Sequence, residues 1–199
     1  VFDIDRVEVL RGPQGTLFGR NTPAGIVKFD SVRPDKKGGY LKASYGRFNS
    51  VNVEGAAGGH LSDTVSARLS VMYQRRSDWV DNLATPQKND LEGYHDFAIR
   101  GQIQFEPVDT LKIRLVGQYR DFDGTARVFR ANIFRPGSND LIFYPGTQGP
   151  GQTPAAPVDF DRGVVRTDGI NFQKLKLYNA GGTLEYDFGP VTLTSVTAY

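Results

Sequence analysis

The side chains that could carry out acid–base, nucleophilic or metal chemistry are few and widely spaced in this sequence. The two histidines, His60 and His95, lie far apart, and no third residue is placed to complete a metal site or an acid–base pair. The chain has no cysteine, which excludes thiolate metal sites and cysteine nucleophiles. No serine or threonine stands in a G-x-S-x-G motif or beside a plausible base. The sequence therefore predicts that the protein is not an enzyme, and it identifies no catalytic residue, metal site or cofactor.

Two pairs of alternating carboxylates are reminiscent of the start of a calcium-binding loop. The first pair is Asp121 and Asp123, followed by Gly124, and the second is Asp159 and Asp161. An EF-hand loop also needs a further ligand before the glycine and a distal glutamate, and both are missing here. We therefore expect these carboxylates to lie in solvated loops, with calcium binding as the alternative.

A long segment without regular patterning, residues 121–171, combines arginines with aromatic side chains. Loops of this length usually have a function or are disordered. Guanidinium groups bind anions through charge-assisted hydrogen bonds and aromatic rings stack on planar groups, which would suit an anionic or planar ligand. The alternative is a mobile loop whose arginines meet lipopolysaccharide phosphates or solvent. The candidate ligand-binding residues are Arg127, Phe129, Arg130, Phe134, Arg135 and Tyr144.

The elements that must position these residues are β-strands. From Gly39 onward, apolar and polar residues alternate in segments of about ten residues, which is the pattern of a membrane β-barrel. One face of each segment carries no charge, as with Leu41, Ala43 and Tyr45, whereas the other face carries Arg, Lys, Gln, Asn and Glu. A charge-free face of this kind can meet lipid or a protein core, and the other face suits a wet lumen.

The links between these segments alternate between short and long, with one exception, the short link around Arg47 to Ser50 between the first two strands. Short turns fall at residues 59–63, 107–109 and 189–190, and longer links at 77–94 and 121–171. This alternation is typical of a barrel with short periplasmic turns and long extracellular loops. Leu175 and Leu177 are out of phase with the second half of their strand, which predicts a β-bulge near Tyr178. A soluble β-sandwich also alternates, although its strands tend to be shorter.

The composition sets further bounds on the class of protein. The net charge is +2, and the basic residues are scattered, so no nucleic-acid-binding stripe is present. No run of about eighteen apolar residues exists that could form a transmembrane helix. The chain opens and ends within strand-like segments, and we expect it to be a piece of a longer protein.

Residues 6–34, RVEVLRGPQGTLFGRNTPAGIVKFDSVRP, form two short apolar segments around a run rich in glycine and proline. The run contains neither G-x-x-x-x-G-K-[ST] nor G-x-G-x-x-G, so it does not predict a nucleotide site. Its order and spacing resemble the end of the plug domain of TonB-dependent outer-membrane receptors, where a strand, an R-G-P-rich segment and a second strand lead into the barrel. The resemblance continues at residues 45–49 and 61–64. It implies that Glu8, Arg11 and Arg20 help to seat the plug against the barrel wall.

The fold that this resemblance implies is all-β. The chain would be part of a transmembrane antiparallel β-barrel, about seven of about twenty-two strands, preceded by the end of a plug domain. Residues 1–34 would be the C-terminal part of the plug, 35–38 a linker, and 39–199 the N-terminal part of the barrel with long loops at 77–94 and 121–171. About seven strands cannot close a barrel, because both edges would expose unpaired backbone to lipid.

The function that the resemblance implies is TonB-dependent active uptake of a scarce solute across the Gram-negative outer membrane. A ferric siderophore or similar iron chelate is the expected solute. The expected partners are TonB, through a segment outside this chain, the small-molecule ligand and outer-membrane lipid, and no nucleic acid. Two alternatives stay open: a passive porin-like pore, which should lack a plug segment, and a soluble β-sandwich binding module.

Overall fold

The described part of the chain consists almost entirely of β-strands. The computed structural model describes residues 1–19, 21–82, 90–125, 164–165 and 172–199, without the side chains of residues 17, 18, 164 and 165. The strands are β1 (Ile4–Arg11), β2 (Gly25–Ser31), β3 (Gly38–Gly46), β4 (Ser50–His60), β5 (Val65–Arg76), β6 (Asp81–Asn82), β7 (Tyr94–Val108), β8 (Leu111–Gly124), β9 (Val164–Val165), β10 (Gln173–Asp187) and β11 (Thr192–Ala198), and a single helical turn, α1, covers Gly15–Phe18. Within these ranges, no helix has the length and apolar character needed to cross a membrane.

Seven of the strands form one antiparallel sheet in the order β11-β10-β8-β7-β5-β4-β3. Apart from the small parallel pair β6 and β9, each strand therefore pairs with its neighbours along the chain, as in an up-and-down meander. We call the edge at which residues 61–64, 109–110 and 188–191 connect the strands the turn end, and the opposite edge the loop end. The predicted all-β antiparallel class is confirmed.

The two faces of the sheet differ as the alternation predicts. The β1–β2 hairpin and the residues flanking it contact the face that carries Arg68, Ser70 and Arg100, which we call the inner face. The outer face is apolar and open, with Leu41 77% and Leu115 55% exposed. Within the described residues no second large sheet packs against it, which is the packing that a β-sandwich would need.

The predicted bulge near Tyr178 is wrong. β10 pairs with β8 in a single uninterrupted register, from Gln173 opposite Gly124 to Tyr186 opposite Leu111. Leu175 and Leu177 therefore lie on the inner face, and the side chains on the outer face at this height are charged, as with Lys174, which pairs with Asp123 at 3.0 Å.

The apolar residues of β10 change from one face to the other along the strand because the strand is longer than the apolar band. Fifteen residues of β10 span roughly 50 Å, whereas the apolar band of an outer-membrane barrel is about 25 Å tall, even allowing for strand tilt. Tyr119 and Tyr178, with ring centroids 4.9 Å apart, mark the end of the apolar part of the outer face.

The same length corrects the predicted start of the second long loop. β8 continues through Gly124, so residues 121–124 belong to a strand and the loop begins after them. Asp121 and Asp123 are consequently strand residues and not members of a solvated loop or a calcium loop, whereas Asp159 and Asp161 lie outside the described residues.

The N-terminal hairpin is a second, small sheet in which β1 pairs antiparallel with β2. Its last pair joins Arg11 to Gly25, which has a φ of +130°. Only glycine fits there, because a Cβ would meet the Leu10 carbonyl oxygen and the backbone lies in a region that other residues avoid. The pairing at the tip of the hairpin therefore requires glycine at position 25. The residues that flank the open end of the hairpin lie toward the sheet.

Candidate functional site

The functional geometry of this chain centres on the contact between the N-terminal hairpin and the inner face of the sheet. Phe2, Asp3 and Val32 lie at the open end of the hairpin and are buried. The Val32 amide donates to the Asp3 carbonyl oxygen at 3.1 Å, which ties the two flanks of the hairpin together. These residues pack against β5 and β7, where Met72 and Ala98 form an apolar cluster with Phe2.

The Asp3 side chain makes a buried, charged contact between hairpin and sheet. Arg68 of β5 donates from Nε to Asp3 Oδ2 at 2.7 Å and from Nη2 to Oδ1 at 2.6 Å, a two-point pair with a fully buried carboxylate. The Ser70 hydroxyl donates to Oδ2 at 2.5 Å. Charge-assisted, bidentate bonds of this kind fix orientation as well as adding energy.

Arg100 of β7 holds the backbone of the same segment. Its Nη2 donates to the carbonyl oxygens of Phe2 at 2.9 Å and Asp3 at 3.0 Å, and its guanidinium lies 4.8 Å from the centre of the Phe2 ring. Gln102, the next inner-face residue of β7, donates to the Val32 carbonyl oxygen at 2.9 Å. The neighbouring strands β5 and β7 therefore hydrogen-bond both flanks of the hairpin. We call Asp3, Arg68, Ser70 and Arg100 the seating lock.

The electrostatics of the lock favour a charged Asp3. Burial alone would raise the pKa of the Asp3 carboxyl, but hydrogen bonds from Arg68 and Ser70 and the positive charges of Arg68 and Arg100 outweigh it. The pKa of Asp3 consequently lies below its ordinary value of 3.8. Asp3 also has a φ of +50°, a conformation that aspartate tolerates better than most residues. The lock is thus a charged contact at any pH near neutrality.

The strands at the sheet edge complete the seat. The Asp3 amide donates to Glu54 Oε1 of β4 at 3.4 Å, and the hydroxyl of Tyr40 on β3 hydrogen-bonds the same carboxylate. Lys42 lies 4.0 Å from Glu54 Oε1. Polar side chains of β4, β5 and β7 therefore contact the residues that flank the hairpin, and β3 supports Glu54 from the side.

The residues expected to seat the hairpin are placed differently. Glu8 pairs with Arg6 at 2.9 Å and Lys28 at 3.3 Å, both within its own hairpin. Arg11 is exposed at the end of β1 and has no ion pair among the described residues, and Arg20 lies outside them. Their role in seating stays a prediction.

Sequence reasoning missed the seating lock. The available signal was the inner-face series of β5 and β7, in which Arg68, Ser70, Arg100 and Gln102 alternate with apolar residues. That series predicts a water-facing surface of the barrel, but it does not indicate which of its members contacts the hairpin. Asp3 itself precedes the segment that carries the resemblance.

The six candidate ligand-binding residues of the long loop lie outside the described residues. The described residues nearest to that loop form an aromatic and charged cluster on the inner face at the loop end. Tyr94 and Phe122 stack with centroids 6.1 Å apart, and Arg76 lies 5.2 Å from the Tyr94 ring. Arg120 donates to both oxygens of Asp96, at 2.9 and 2.7 Å. This loop-end cluster offers stacking surfaces and held guanidinium groups.

The described residues contain no cluster of three or more His, Asp or Glu side chains that could hold a metal ion. His60 Nδ1 hydrogen-bonds the Ser66 hydroxyl at 2.8 Å at the turn end, and His95 stands on the outer side of β7 near the loop end. The two histidines therefore lie near opposite edges of the sheet, far apart as the sequence predicts.

Comparisons with known proteins find that this chain is similar to parts of siderophore receptors. No protein-family model matches the chain. The chain is 30% identical over 125 residues to the ferrioxamine B receptor of Salmonella typhimurium, covering 61% of this chain and 16% of that protein. It is 34% identical over 82 residues to the catecholate siderophore receptor Fiu of Escherichia coli K12, covering 39% of this chain and 10% of that protein.

Solved structures match nearly the whole chain. The crystal structure of Fiu from E. coli K12 in its open form superposes with a TM-score of 0.72 at 21% identity, covering 99% of this chain and 28% of that one. The ferric yersiniabactin uptake receptor FyuA from Yersinia pestis gives a TM-score of 0.68 at 20% identity, covering 100% of this chain and 28% of that one.

The chain spans about a sixth or less of the length of these two curated relatives. The resemblance to TonB-dependent outer-membrane receptors that the sequence predicts is confirmed, together with the expected location in the Gram-negative outer membrane. The matched proteins are receptors and transporters and not enzymes, as the sequence predicts.

Proposed function

We propose that this chain forms the end of the plug and the first seven barrel strands of a TonB-dependent receptor that takes up a ferric siderophore or similar iron chelate. Residues 1–34 are then the C-terminal part of the plug, 35–38 the linker and 39–199 the start of the barrel. The names of the relatives support the choice of solute, since one is a receptor for ferrioxamine B and another for catecholate siderophores.

The observation that carries this proposal is the seating lock. A pair of strands outside the main sheet is held by a buried carboxylate against the charged face of that sheet, while the opposite face is apolar and open. A wall with lipid on one side and a docked plug on the other has this distribution of charge. A passive porin has no docked plug, so a buried contact of Asp3 with Arg68 and Arg100 is not expected in one.

The docked hairpin gives a physical reason for energy coupling. It occupies the inner side of the wall and is held by charged contacts that cost free energy to break, so it narrows the lumen, and a large solute passes only when part of the plug has been displaced. Displacing part of a plug needs work, and we propose that TonB supplies it through a segment outside this chain. The barrel around the plug would lie in outer-membrane lipid.

Ligand capture is assigned to the loop end. We propose that Arg127, Phe129, Arg130, Phe134, Arg135 and Tyr144 of the long loop bind the solute, and that the loop-end cluster contributes to the same site. Arginine forks suit the oxygen atoms of an iron chelate, and aromatic rings suit its planar groups. Seating of the plug by Glu8, Arg11 and Arg20 is a further proposal, in which these residues contact parts of the barrel beyond this chain.

The experiment uses the complete receptor gene in a host that lacks its own siderophore receptors. Uptake of radioactive iron would be followed with ferrioxamine B and with a ferric tris-catecholate, in cells with and without TonB. We expect uptake of at least one chelate at about ten times the rate of the empty vector, abolished without TonB. Equal uptake with and without TonB would mean a passive pore, and no uptake of any iron chelate would rule out this solute class.

A further inference from the structure

A cavity of about 480 Å³ lies between the β1–β2 hairpin and the wall formed by β7, β8 and β10. We call it the wall cavity. It is separate from the loop-end cluster and lies beside the seating lock, because Gln102, which holds Val32, also lines it. From the wall, Arg114 and Thr183 face the cavity as direct cross-strand partners.

The lining of the wall cavity carries more positive than negative charge. Four basic side chains line it, namely Arg6, Lys28, Arg33 and Arg114, against two carboxylates, those of Asp5 and Asp30. The charges from one side of the hairpin are already paired, since Arg6 lies 2.8 Å and Lys28 3.1 Å from Asp30. Asp5 pairs at 2.7 Å with Lys36, which does not line the cavity.

Arg33 and Arg114 account for the excess. Arg33 is exposed on the hairpin side and forms no ion pair within the described residues, although its charge contributes to the lowered pKa of Asp5. Arg114 is half-buried on the wall, and its one hydrogen bond among the described residues goes from Nε to Gln104 Oε1 at 3.2 Å. Both guanidinium groups therefore keep donors free toward the cavity.

This arrangement suits an anionic oxygen ligand. Guanidinium groups bind carboxylate, catecholate, hydroxamate or phosphate oxygens through two parallel hydrogen bonds, and they hold their charge at any physiological pH. A recess whose lining carries a net positive charge and is enclosed by protein raises the local concentration of anions. The neutral polar lining, from Ser31, Gln102 and Thr183, offers hydrogen bonds without competing negative charge.

We propose that the wall cavity is a transit site for the anionic groups of the transported solute, in which Arg33 and Arg114 bind its oxygens as it passes between hairpin and wall. This inference rests on the proposed uptake function. The site selects for net negative charge after capture at the loop end, so it adds a second filter deeper in the lumen. It also places the path of the solute on the β7–β8–β10 side, next to the lock.

The first test measures the sign of the charge in the cavity and needs neither transport nor TonB. In the complete receptor with no other accessible thiol, Thr183→Cys would be reacted with anionic sulfonatoethyl methanethiosulfonate and with its cationic trimethylammonium counterpart. We expect the ratio of anionic to cationic reaction rates to exceed that of free cysteine by about twenty-fivefold, because each of the two free guanidinium groups that line the cavity with residue 183 changes this ratio about fivefold in a wet, partly screened recess.

Matched variants assign the effect. Arg33→Gln and Arg114→Gln should each lower the ratio about fivefold, whereas Arg114→Lys, which keeps the charge, should preserve it. The control is Arg75→Gln, which removes an exposed arginine from the outer side of β5, away from the cavity. A ratio at or below that of free cysteine, or a ratio unchanged by Arg114→Gln, would overturn the proposal.

The second test asks whether the site serves transport. Cells with Arg114→Gln should take up an anionic ferric tris-catecholate about fivefold more slowly at saturation, with surface binding at 0 °C unchanged, and Arg75→Gln should match the wild type. If the thiol test succeeds and uptake is unaffected, the cavity attracts anions but is not on the path, and the transit proposal fails. If no chelate is taken up by the wild type, the uptake function fails while the thiol result stands.

Discussion

Replacing Asp3 by asparagine tests the seating lock directly. The change keeps the size of the side chain but removes the charge that Arg68 contacts at 2.6 and 2.7 Å. Because the Arg68 side chain is 4% exposed and that of Asp3 is fully buried, the guanidinium would keep a buried charge without its counter-ion. Removing one partner of a buried pair costs about 3–5 kcal/mol. One hydrogen bond to the asparagine oxygen would survive, so we expect about 3 kcal/mol.

An energy of about 3 kcal/mol corresponds to roughly a hundredfold shift in the equilibrium between docked and undocked hairpin. The reporter is the amide of the buried residue Val32, which donates to the Asp3 carbonyl oxygen at 3.1 Å, and we expect undocking of the hairpin to expose this amide to hydrogen exchange. In the complete receptor, its exchange rate should rise roughly a hundredfold in Asp3→Asn. The control is Asp5→Asn, whose exposed carboxylate pairs with Lys36 at the surface and should change the rate little.

A double variant separates a stranded charge from a general loss of packing. Adding Arg68→Gln to Asp3→Asn removes the unpaired charge, so the double variant should exchange more slowly than Asp3→Asn alone. The reasoning is refuted if Asp3→Asn exchanges no faster than Asp5→Asn. It is also refuted if the effects of Asp3→Asn and Arg68→Gln simply add.

Three further predictions concern the pH response, the hairpin tip and the outer face. The contribution of the charged Asp3 to stability is fully present above its unfolded-state pKa of about 3.9, and it is lost as the pH falls through its lower folded-state pKa. Calorimetry should therefore find that the difference in stability between wild type and Asp3→Asn is constant from pH 7 to about pH 5 and becomes smaller below about pH 4. Gly25→Ala should open the hairpin at a cost of at least about 1–3 kcal/mol, because its Cβ meets the Leu10 carbonyl oxygen at a positive φ; protease resistance of the hairpin equal to wild type would contradict this. Leu115→Lys, at the middle of the outer face, should lower stability in lipid vesicles by about 2–4 kcal/mol in urea unfolding, whereas Lys176→Leu, above the apolar band, should not.

Much of the fold follows from the alternation of side chains. Residues two apart in a strand share a face, so Leu41, Leu69 and Leu115 could be assigned together to one side before any pairing was known. Short turns then fix the antiparallel order of neighbouring strands. The same rule failed at Leu175 and Leu177, since it assumed that an apolar face keeps its phase along the whole strand.

What the sequence by itself determined is therefore local: which segments are strands, which face is apolar, where the tight turns fall, and the glycine-rich segment whose resemblance indicates the family. Only the tertiary structure decided which residues meet across long separations. Asp3 and Arg68 are 65 residues apart, and Arg33 follows the hairpin whereas Arg114 lies in the main sheet. Nothing in a period-two pattern distinguishes these residues from other charged residues on the polar face of a sheet. The physical reason is that alternation is set by backbone geometry within one strand, whereas the lock and the cavity depend on where the hairpin rests against the sheet.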